Sequence, residues 1–509
     1  MDRCNLGLYW SYSGEPMNLP SLITRLTTPW GFLILGMLGI AWIRWELTAP
    51  NLWIGDDTGT YLTTMHFALG TDFTGVGGDR PPLIGFLMVP FVYGFGLTTG
   101  VKLLAVIASV IGALPFFLVA RRVISPDISA VGALIFISLS VYADTLAFGF
   151  LTLLVLALVL LGSWAFLRFS DKPSFDRAVT ASAIIALIPN LNQTAIIPYL
   201  GLLGLFTLFL GTKNIRKYWS GLLVLGVTAV LLSLGSLPYS QKTADVFLKD
   251  SAVEVIFRDP VSLVMAVLAI PLFVWTGKRI GGTTGAFIAC GGASAMFLQA
   301  LVAPSSMGLS TVFGRSINWL WMWGLMSVLW WVSLVPLSSW VGKHKEYAHC
   351  GIAVLVLVFL TVNWVWRFDA SMEQYSTLTP QQVEAIEWLE ANTGVDEIVA
   401  VHPYWHGYKV GGLANRRVIS TVPVSDSTAP NCVGNFISTC SLSPDAEPDW
   451  QSMFTGYYRE QDTAVRCLLS GGTNCNSGAK YLFTDSEVRG EALIKVYDGK
   501  VSVYEVIDD

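Results

Sequence analysis

The chain has 509 residues, of which 53% are hydrophobic and only 13% are charged. In soluble domains roughly a quarter of the residues are charged, so this composition excludes an ordinary soluble protein and indicates a polytopic membrane protein. The net charge of −5 comes without a basic tract, which gives no support for a nucleic-acid partner.

Apolar runs close to the length of a bilayer crossing predict about eleven transmembrane helices. No small-residue cleavage site follows the first run, so we expect that run to remain as an anchor. The candidate spans lie at about residues 30–47, 101–120, 128–143, 146–167, 178–192, 196–212, 219–237, 260–276, 282–302, 316–338 and 350–366.

The distribution of Lys and Arg favours a cytoplasmic N-terminus, because basic loops resist translocation across the membrane. The short inner segments would then carry Arg121, Arg122, Arg168, Lys172, Arg177, Lys278 and Arg279. The outer segments, to which Arg44 and Lys102 are assigned, hold fewer basic residues. We therefore expect a cytoplasmic segment at 1–29, a membrane domain at 30–368 and an extracytoplasmic domain at 369–509.

The first outer segment, residues 48–100, places acidic and basic side chains at the edge of the membrane. Asp56 and Asp57 occur between Gly55 and Thr58, and Arg80 is followed by two prolines. Carboxylates beside a bilayer are costly unless they are solvated or used, and proline favours an extended approach of Arg80. This arrangement indicates a site for an anionic, lipid-linked substrate.

The second half of the same segment predicts an interfacial or partly re-entrant helix. Residues 83–97 are apolar but are interrupted by Pro90, Gly94 and Gly96. Proline and glycine weaken a helix, so we do not count this stretch as a full crossing.

Three further charged residues fall on the same predicted side. Asp144 lies at the outer end of the third span, Arg258 in the outer loop 238–260, and Arg315 at the start of the tenth span. The arginines can bind a phosphate by charge-assisted hydrogen bonds or can reach lipid headgroups. Asp144 can serve a site or a helix end.

The polar tail predicts a small α/β domain. Thr379-Pro380 and Gly394 are the start and stop signals of a helix. Asp498-Gly499 lies between two apolar runs and predicts a hairpin over residues 493–506. Further strands are expected at 397–401, 417–421 and 480–484.

Four of the seven cysteines cluster in this tail, which is typical of disulfides in an outside domain. Of the three pairings, we favour Cys432 with Cys440 and Cys467 with Cys475, because each closes a short loop rich in Gly, Asn or Ser. A zinc site is less favoured, since no two of these cysteines have Cys-x-x-Cys spacing.

Aromatic residues near the start of the tail can stack against a sugar or form ordinary core. Trp405 and Tyr408 are the candidates for sugar contact. His402 and His406 flank Trp405, and their surroundings favour packing or surface roles over a metal site.

The first outer segment resembles that of GT-C membrane glycosyltransferases. Gly55 to Tyr61, followed by Asp79 to Leu83, is similar to protein O-mannosyltransferases and the lipid A aminoarabinose transferase, where an acidic residue precedes a basic-Pro-Pro-Leu element. In the tail, Gly407 to Arg416 is similar to the stretch after the Trp-Trp-Asp motif of oligosaccharyltransferase catalytic subunits. The aspartate of that motif is missing before Gly407.

The resemblance implies transfer of a hexose or pentose from a polyprenyl-phosphate donor to a hydroxyl or amide of a protein, lipid or glycan. It implies an integral protein of the cell membrane, or of the ER membrane in a eukaryote. For this reaction we assign Asp57, which matches the family's catalytic aspartate, as general base and Asp56 and Asp144 as orienting acids. We assign Arg80 and Arg315, and more weakly Arg258, as phosphate partners, and Tyr61, Trp405 and Tyr408 as sugar or acceptor contacts.

No cofactor is required by this chemistry, although Mg²⁺ or Mn²⁺ shared by Asp57 and Asp144 is an alternative. Rival functions are a lipid or solute transporter or flippase, a scaffold that presents the tail, and an oligosaccharyltransferase-like enzyme. A transporter is less favoured, because the predicted spans carry almost no interior charge and show no inverted repeat.

Overall fold

The structure is a computed structural model in which the chain is described in several segments. These are residues 28–48, 58–71, 82–139, 142–143, 146, 149–191, 203, 206, 219, 222–223, 225–227, 230–231, 260–301, 325–326, 358, 361–366, 368, 378–402, 407–420, 463–472, 475, 477–499 and 501–507.

The described part of the membrane domain is entirely helical. Its helices are α1 (Pro29–Thr48), α2 (Thr58–Ala68), α3 (Leu83–Phe95), α4 (Leu97–Ile111), α5 (Ala113–Ala120), α6 (Pro126–Ile137), α7 (Leu151–Asp171), α8 (Phe175–Leu191), α9 (Pro260–Ile280) and α10 (Gly282–Leu301). Three helical stretches in this part are long and apolar enough to cross a membrane, namely Pro29–Thr48, Leu97–Ala120 and Leu151–Asp171. The protein is therefore membrane-embedded. Several of the eleven predicted spans lie partly or wholly outside the described residues, so their number stays a prediction.

Two of the expected helices differ from their predicted bounds. The stretch expected at 83–97 is helix α3, which contains Pro90 and ends at Gly96 with a φ of 79°. Only glycine adopts such a φ at low cost, so Gly96 separates α3 from α4. The third predicted span is shorter than expected, since α6 ends at Ile137.

Several basic residues meet at one end of the helix bundle, which we call the basic end. Arg122, two residues after α5, pairs with Asp171 at the end of α7, and its Nε donates to Thr284 Oγ1 of α10 at 3.2 Å. The Arg121 guanidinium lies 5.6 Å from the ring centre of Trp30, at the start of α1. The loops predicted to be cytoplasmic are thus brought together.

The tail forms a five-stranded mixed sheet. Its strands are β1 (Ile398–His402), β2 (Arg417–Ser420), β3 (Ala479–Thr484), β4 (Leu493–Tyr497) and β5 (Ser502–Val506), in the order β2-β1-β3-β5-β4. Strand β1 is parallel to β2 and β3, whereas β5 is antiparallel to β3 and β4. All the strands predicted from the sequence are present, and β4 and β5 form the predicted hairpin.

Three helices cover the sheet: α11 (Pro380–Asn392), α12 (Gly407–Ala414) and α13 (463–469). Thr379 caps α11, because its Oγ1 accepts from the Gln382 backbone N–H at 3.3 Å while Gln382 Oε1 accepts from the Thr379 N–H at 2.8 Å. Side chains alternate along each strand, so Val399 packs in the cluster shared with α11 and α12, and Ala400 packs in the cluster shared with α13.

One disulfide is described in the tail. It joins Cys467 at the end of α13 to Cys475, with 5.5 Å between their Cα atoms. This bond is one of the two pairings expected from the sequence. The other expected pair, Cys432 and Cys440, lies outside the described residues.

Candidate active site

The tail contacts the membrane domain where α12 packs against α2. A Cβ added to Gly412 would lie 2.4 Å from the Gly59 carbonyl oxygen and 2.9 Å from the Gly59 Cα. Because Gly412 has no Cβ, the backbone of α12 can approach the backbone of Gly59 closely, which a larger residue at 412 would prevent. We call this contact the glycine junction.

A hydrogen bond reinforces the glycine junction at the other end of α2. Asn415, directly after α12, donates from Nδ2 to the Thr71 carbonyl oxygen at 2.8 Å. Asn415 has a φ of 48°, a left-handed conformation that asparagine tolerates better than most residues. The tail therefore contacts α2 near both of its ends.

Helix α2 is held from the membrane side as well. A Cβ at Gly85 of α3 would lie 2.5 Å from the Thr64 carbonyl oxygen, so α2 and α3 also meet backbone to backbone. The Tyr61 ring is buried and packs edge-on against Phe150, with 5.1 Å between ring centres. Tyr61 therefore packs in the core, and its role as a sugar or acceptor contact stays a prediction.

The glycine junction lies at the end of the bundle opposite the basic end. Helix α7 ends at Asp171 in the basic end, and Phe150, which contacts Tyr61, directly precedes the first residue of α7. The tail and α2 therefore lie one helix length away from Arg122. The chain places Asp57 directly before Thr58, the first residue of α2.

Most of the residues predicted for the site lie outside the described part of the chain. They are Asp56, Asp57, Arg80, Asp144, Arg258, Arg315 and Trp405. For Tyr408, the structure describes only its place in the backbone of α12. His402 is the last residue of β1, and His406 is outside the described residues.

Lys409 is a residue of the glycine junction that the sequence did not single out. Its side chain is fully buried in α12. Residues three apart share a helix face, so Lys409 lies on the same face as Gly412, towards α2. The signal available in the sequence was a lone cation within a Gly-rich and otherwise apolar stretch.

Arg44 and Lys102, which the sequence placed in outer segments, lie within helices. Each residue is buried, Arg44 in α1 and Lys102 in α4. The Arg44 Nη1 donates to the Ser109 carbonyl oxygen at 2.6 Å, and Nη2 donates to that of Ile137. These carbonyls belong to the last turns of α4 and α6, where helix dipoles favour a cation. The expectation that the spans carry almost no interior charge fails at this point.

The raised pKa of Tyr481 in the tail results from packing within the tail. Burial and the neighbouring carboxylates of Glu397 and Glu505 raise the pKa of Tyr481. The Tyr481 ring lies 6.3 Å from that of Trp388 in α11, so this group belongs to the contact between α11 and the sheet.

Within the described ranges, no group of three His, Cys, Asp or Glu side chains lies close enough together to hold a metal ion. The metal alternative rested on Asp57 and Asp144, which are outside those ranges.

Structural similarity extends over nearly the whole chain. The oligosaccharyltransferase of Archaeoglobus fulgidus, tethered with an acceptor peptide containing the NVT sequon, matches 91% of this chain and 70% of its own, with 13% identity and a TM-score of 0.51. ArnT of Cupriavidus metallidurans bound to undecaprenyl phosphate matches 93% of this chain and 98% of its own, with 12% identity and a TM-score of 0.54.

A third similar structure is the arabinofuranosyltransferase AftD from Mycobacteria, with 14% identity and a TM-score of 0.56. It matches 94% of this chain, which spans only 40% of that larger protein. No protein-family model and no curated protein matches the chain by sequence. The resemblance seen in the first outer segment is confirmed for the architecture: the chain has the fold of GT-C membrane glycosyltransferases.

Proposed function

We propose that this protein is a membrane glycosyltransferase. It moves a sugar from a polyprenyl-phosphate donor to a hydroxyl or amide of a protein, lipid or glycan. Support comes from the shared fold and from what two similar proteins bind, undecaprenyl phosphate in ArnT and an acceptor peptide in the oligosaccharyltransferase.

One observation carries the proposal: the tail packs onto the helix that directly follows the acidic pair in the chain. Gly412 of the tail meets Gly59, two residues after Asp57. A domain that can position an acceptor is thereby joined to the segment with the candidate base. Such positioning matters, because a misplacement of about 1 Å can cost about a hundredfold in rate.

The reaction belongs on the side of the membrane that faces away from the cytoplasm. The basic end gathers loops rich in Arg and Lys, which favour the cytoplasmic side. The glycine junction is at the opposite end, so the N-terminus is cytoplasmic and the tail extracytoplasmic. The host membrane is the cell membrane, or the ER membrane in a eukaryote.

The residues act in a single displacement. The acceptor oxygen or nitrogen attacks the anomeric carbon, and Asp57 takes the acceptor's proton. The bond from that carbon to the phosphate oxygen breaks, and its electron pair leaves with the phosphate. Asp56 and Asp144 orient the reacting groups.

Arginines neutralise the charge that develops on the departing phosphate. We assign this role to Arg80 and Arg315, with Arg258 as a further partner, because the guanidinium fork matches phosphate oxygens. Fixed cations aimed at developing charge can supply the stabilisation that a metal would otherwise give. Transfer therefore needs no cofactor.

Exchange of Asp57 for Asn tests the proposal. We expect transfer from a radiolabelled polyprenyl-phosphate sugar to fall by about 10² to 10⁴-fold, the usual contribution of a general base. Asp127→Asn is the matched control, because Asp127 is exposed in the first turn of α6 near the basic end. Undiminished transfer by the Asp57 variant would remove the assignment.

A further inference from the structure

Unpartnered polar atoms from three separate segments line one cavity beside Arg44. They are the Arg44 Nε of α1, the Ser138 Oγ directly after α6 and the Trp364 Nε1 of the helical segment 361–366. The residues that line the cavity are Ile40, Ile43, Arg44, Ser138, Thr361 and Trp364.

These three polar side chains are almost completely buried. Arg44 is 1% exposed, and Ser138 and Trp364 are each 2% exposed. Within the described residues, none of the three atoms has a hydrogen-bond partner. A buried donor without a partner costs about 1 to 3 kcal/mol, and three of them at one cavity indicate a shared ligand.

The chemistry of the cavity favours an anion. Arginine Nε and tryptophan Nε1 can only donate hydrogen bonds, and serine can donate as well. The remaining Arg44 nitrogens are used by the Ser109 and Ile137 carbonyls, and the guanidinium lies 4.4 Å from the Trp364 ring centre.

The charge of Arg44 also favours an anion. Among the described residues, Arg122, Arg489 and Lys495 pair with carboxylates, whereas no described carboxylate pairs with Arg44. A buried charge is stable only when it is paired, and carbonyl dipoles supply only partial charge.

The cavity is small, with room for about one water-sized sphere. A monatomic ligand suits this space better than phosphate, sulfate or a carboxylate.

We propose that this cavity binds one monatomic anion of the halide class, with chloride as the physiological ligand. The anion accepts hydrogen bonds from Arg44, Ser138 and Trp364 and completes the neutralisation of Arg44. Because Arg44 also binds α4 and α6, the anion fixes the position of α1 against both helices. This site is separate from the glycine junction and does not depend on the proposed transfer reaction.

Thermal unfolding of the full chain in lipid nanodiscs tests the site. Chloride is titrated against gluconate at constant ionic strength, and we expect the unfolding temperature of the wild type to rise and then saturate. Ser138→Ala removes one donor, and we expect chloride to bind about tenfold more weakly, as for one hydrogen bond to a charged group. Trp364→Phe removes the N–H and keeps an aromatic ring, so the unfolding temperature of this variant should rise even less with chloride.

Trp366→Phe is the matched control, because Trp366 is 71% exposed and lies only two residues away. Its titration should equal that of the wild type. A structure of the wild type in bromide should show an anomalous peak at the cavity, a readout that does not depend on any variant folding.

The proposal is overturned if stability is independent of chloride. It is equally overturned if Trp364→Phe responds as the wild type does, or if the bromide structure shows only a water molecule in the cavity.

Discussion

Exchange of Gly412 for Ala should uncouple the tail from α2. The new methyl group would lie 2.4 Å from the Gly59 carbonyl oxygen and 2.9 Å from its Cα, and both atoms are backbone. Normal contact is near 3.5 Å, so α12 has to move by about 1 Å. Overpacking of this kind costs about 1 to 3 kcal/mol, and a 1 Å displacement at a catalytic site costs about a hundredfold in rate.

The assay compares sugar transfer and thermal unfolding of Gly412→Ala with those of Gly94→Ala. Gly94 lies in α3, and no atom is within 4 Å of a Cβ built there, so its variant should match or slightly exceed the wild type in stability. We expect a large loss of transfer and a moderate loss of stability at Gly412 only. Full transfer by Gly412→Ala would refute the role of the glycine junction.

Three other outcomes follow from the described contacts. Arg416→Ala should destabilise the tail by about 3 kcal/mol in thermal unfolding, since its guanidinium bonds the Glu390 and Thr393 carbonyls that end α11. The exposed Arg417→Ala is the control, and it should change stability by about 0.5 kcal/mol or less. Replacement of both Cys467 and Cys475 by Ser should cost about 2 kcal/mol in thermal unfolding without reductant, because the bond that joins them is lost. Chelation of divalent cations by EDTA should leave transfer unchanged. A hard cation would need about six oxygen ligands, whereas the arginines can neutralise the phosphate without a metal. A loss of transfer that Mg²⁺ or Mn²⁺ restores would contradict the metal-free reaction.

The tail could be predicted from local signals. Thr379 and Gln382 form a capping box within four residues of sequence, and Asp498-Gly499 marks the turn between β4 and β5. Such signals act through neighbouring backbone atoms, so they need no knowledge of distant residues. The sheet order β2-β1-β3-β5-β4, in contrast, depends on pairings between distant segments.

Helices α2 and α12 could not be predicted in the same way. Helix α12 contains Gly407, Gly411 and Gly412, and glycine disfavours helix by about 1 kcal/mol per residue. Tertiary packing overrides that preference, because the same glycines allow α12 to approach Gly59. A single sequence does not reveal that residues 59 and 412 meet.

The burial of Arg44 could not be predicted from the hydropathy of the sequence. Arg44 lies near the end of an apolar run, where an arginine normally reaches the headgroups. The structure buries it instead, because α6 ends early and presents the Ile137 carbonyl to its guanidinium. The acidic pair and the arginines assigned to the phosphate remain predictions from sequence and resemblance.

The most direct measurement is a structure of the full chain in nanodiscs with a polyprenyl phosphate bound. We expect phosphate density at the end of the bundle where α12 meets α2, in hydrogen-bond contact with Arg80 or Arg315. Phosphate bound at the basic end, beside Arg122 and Asp171, would contradict this expectation.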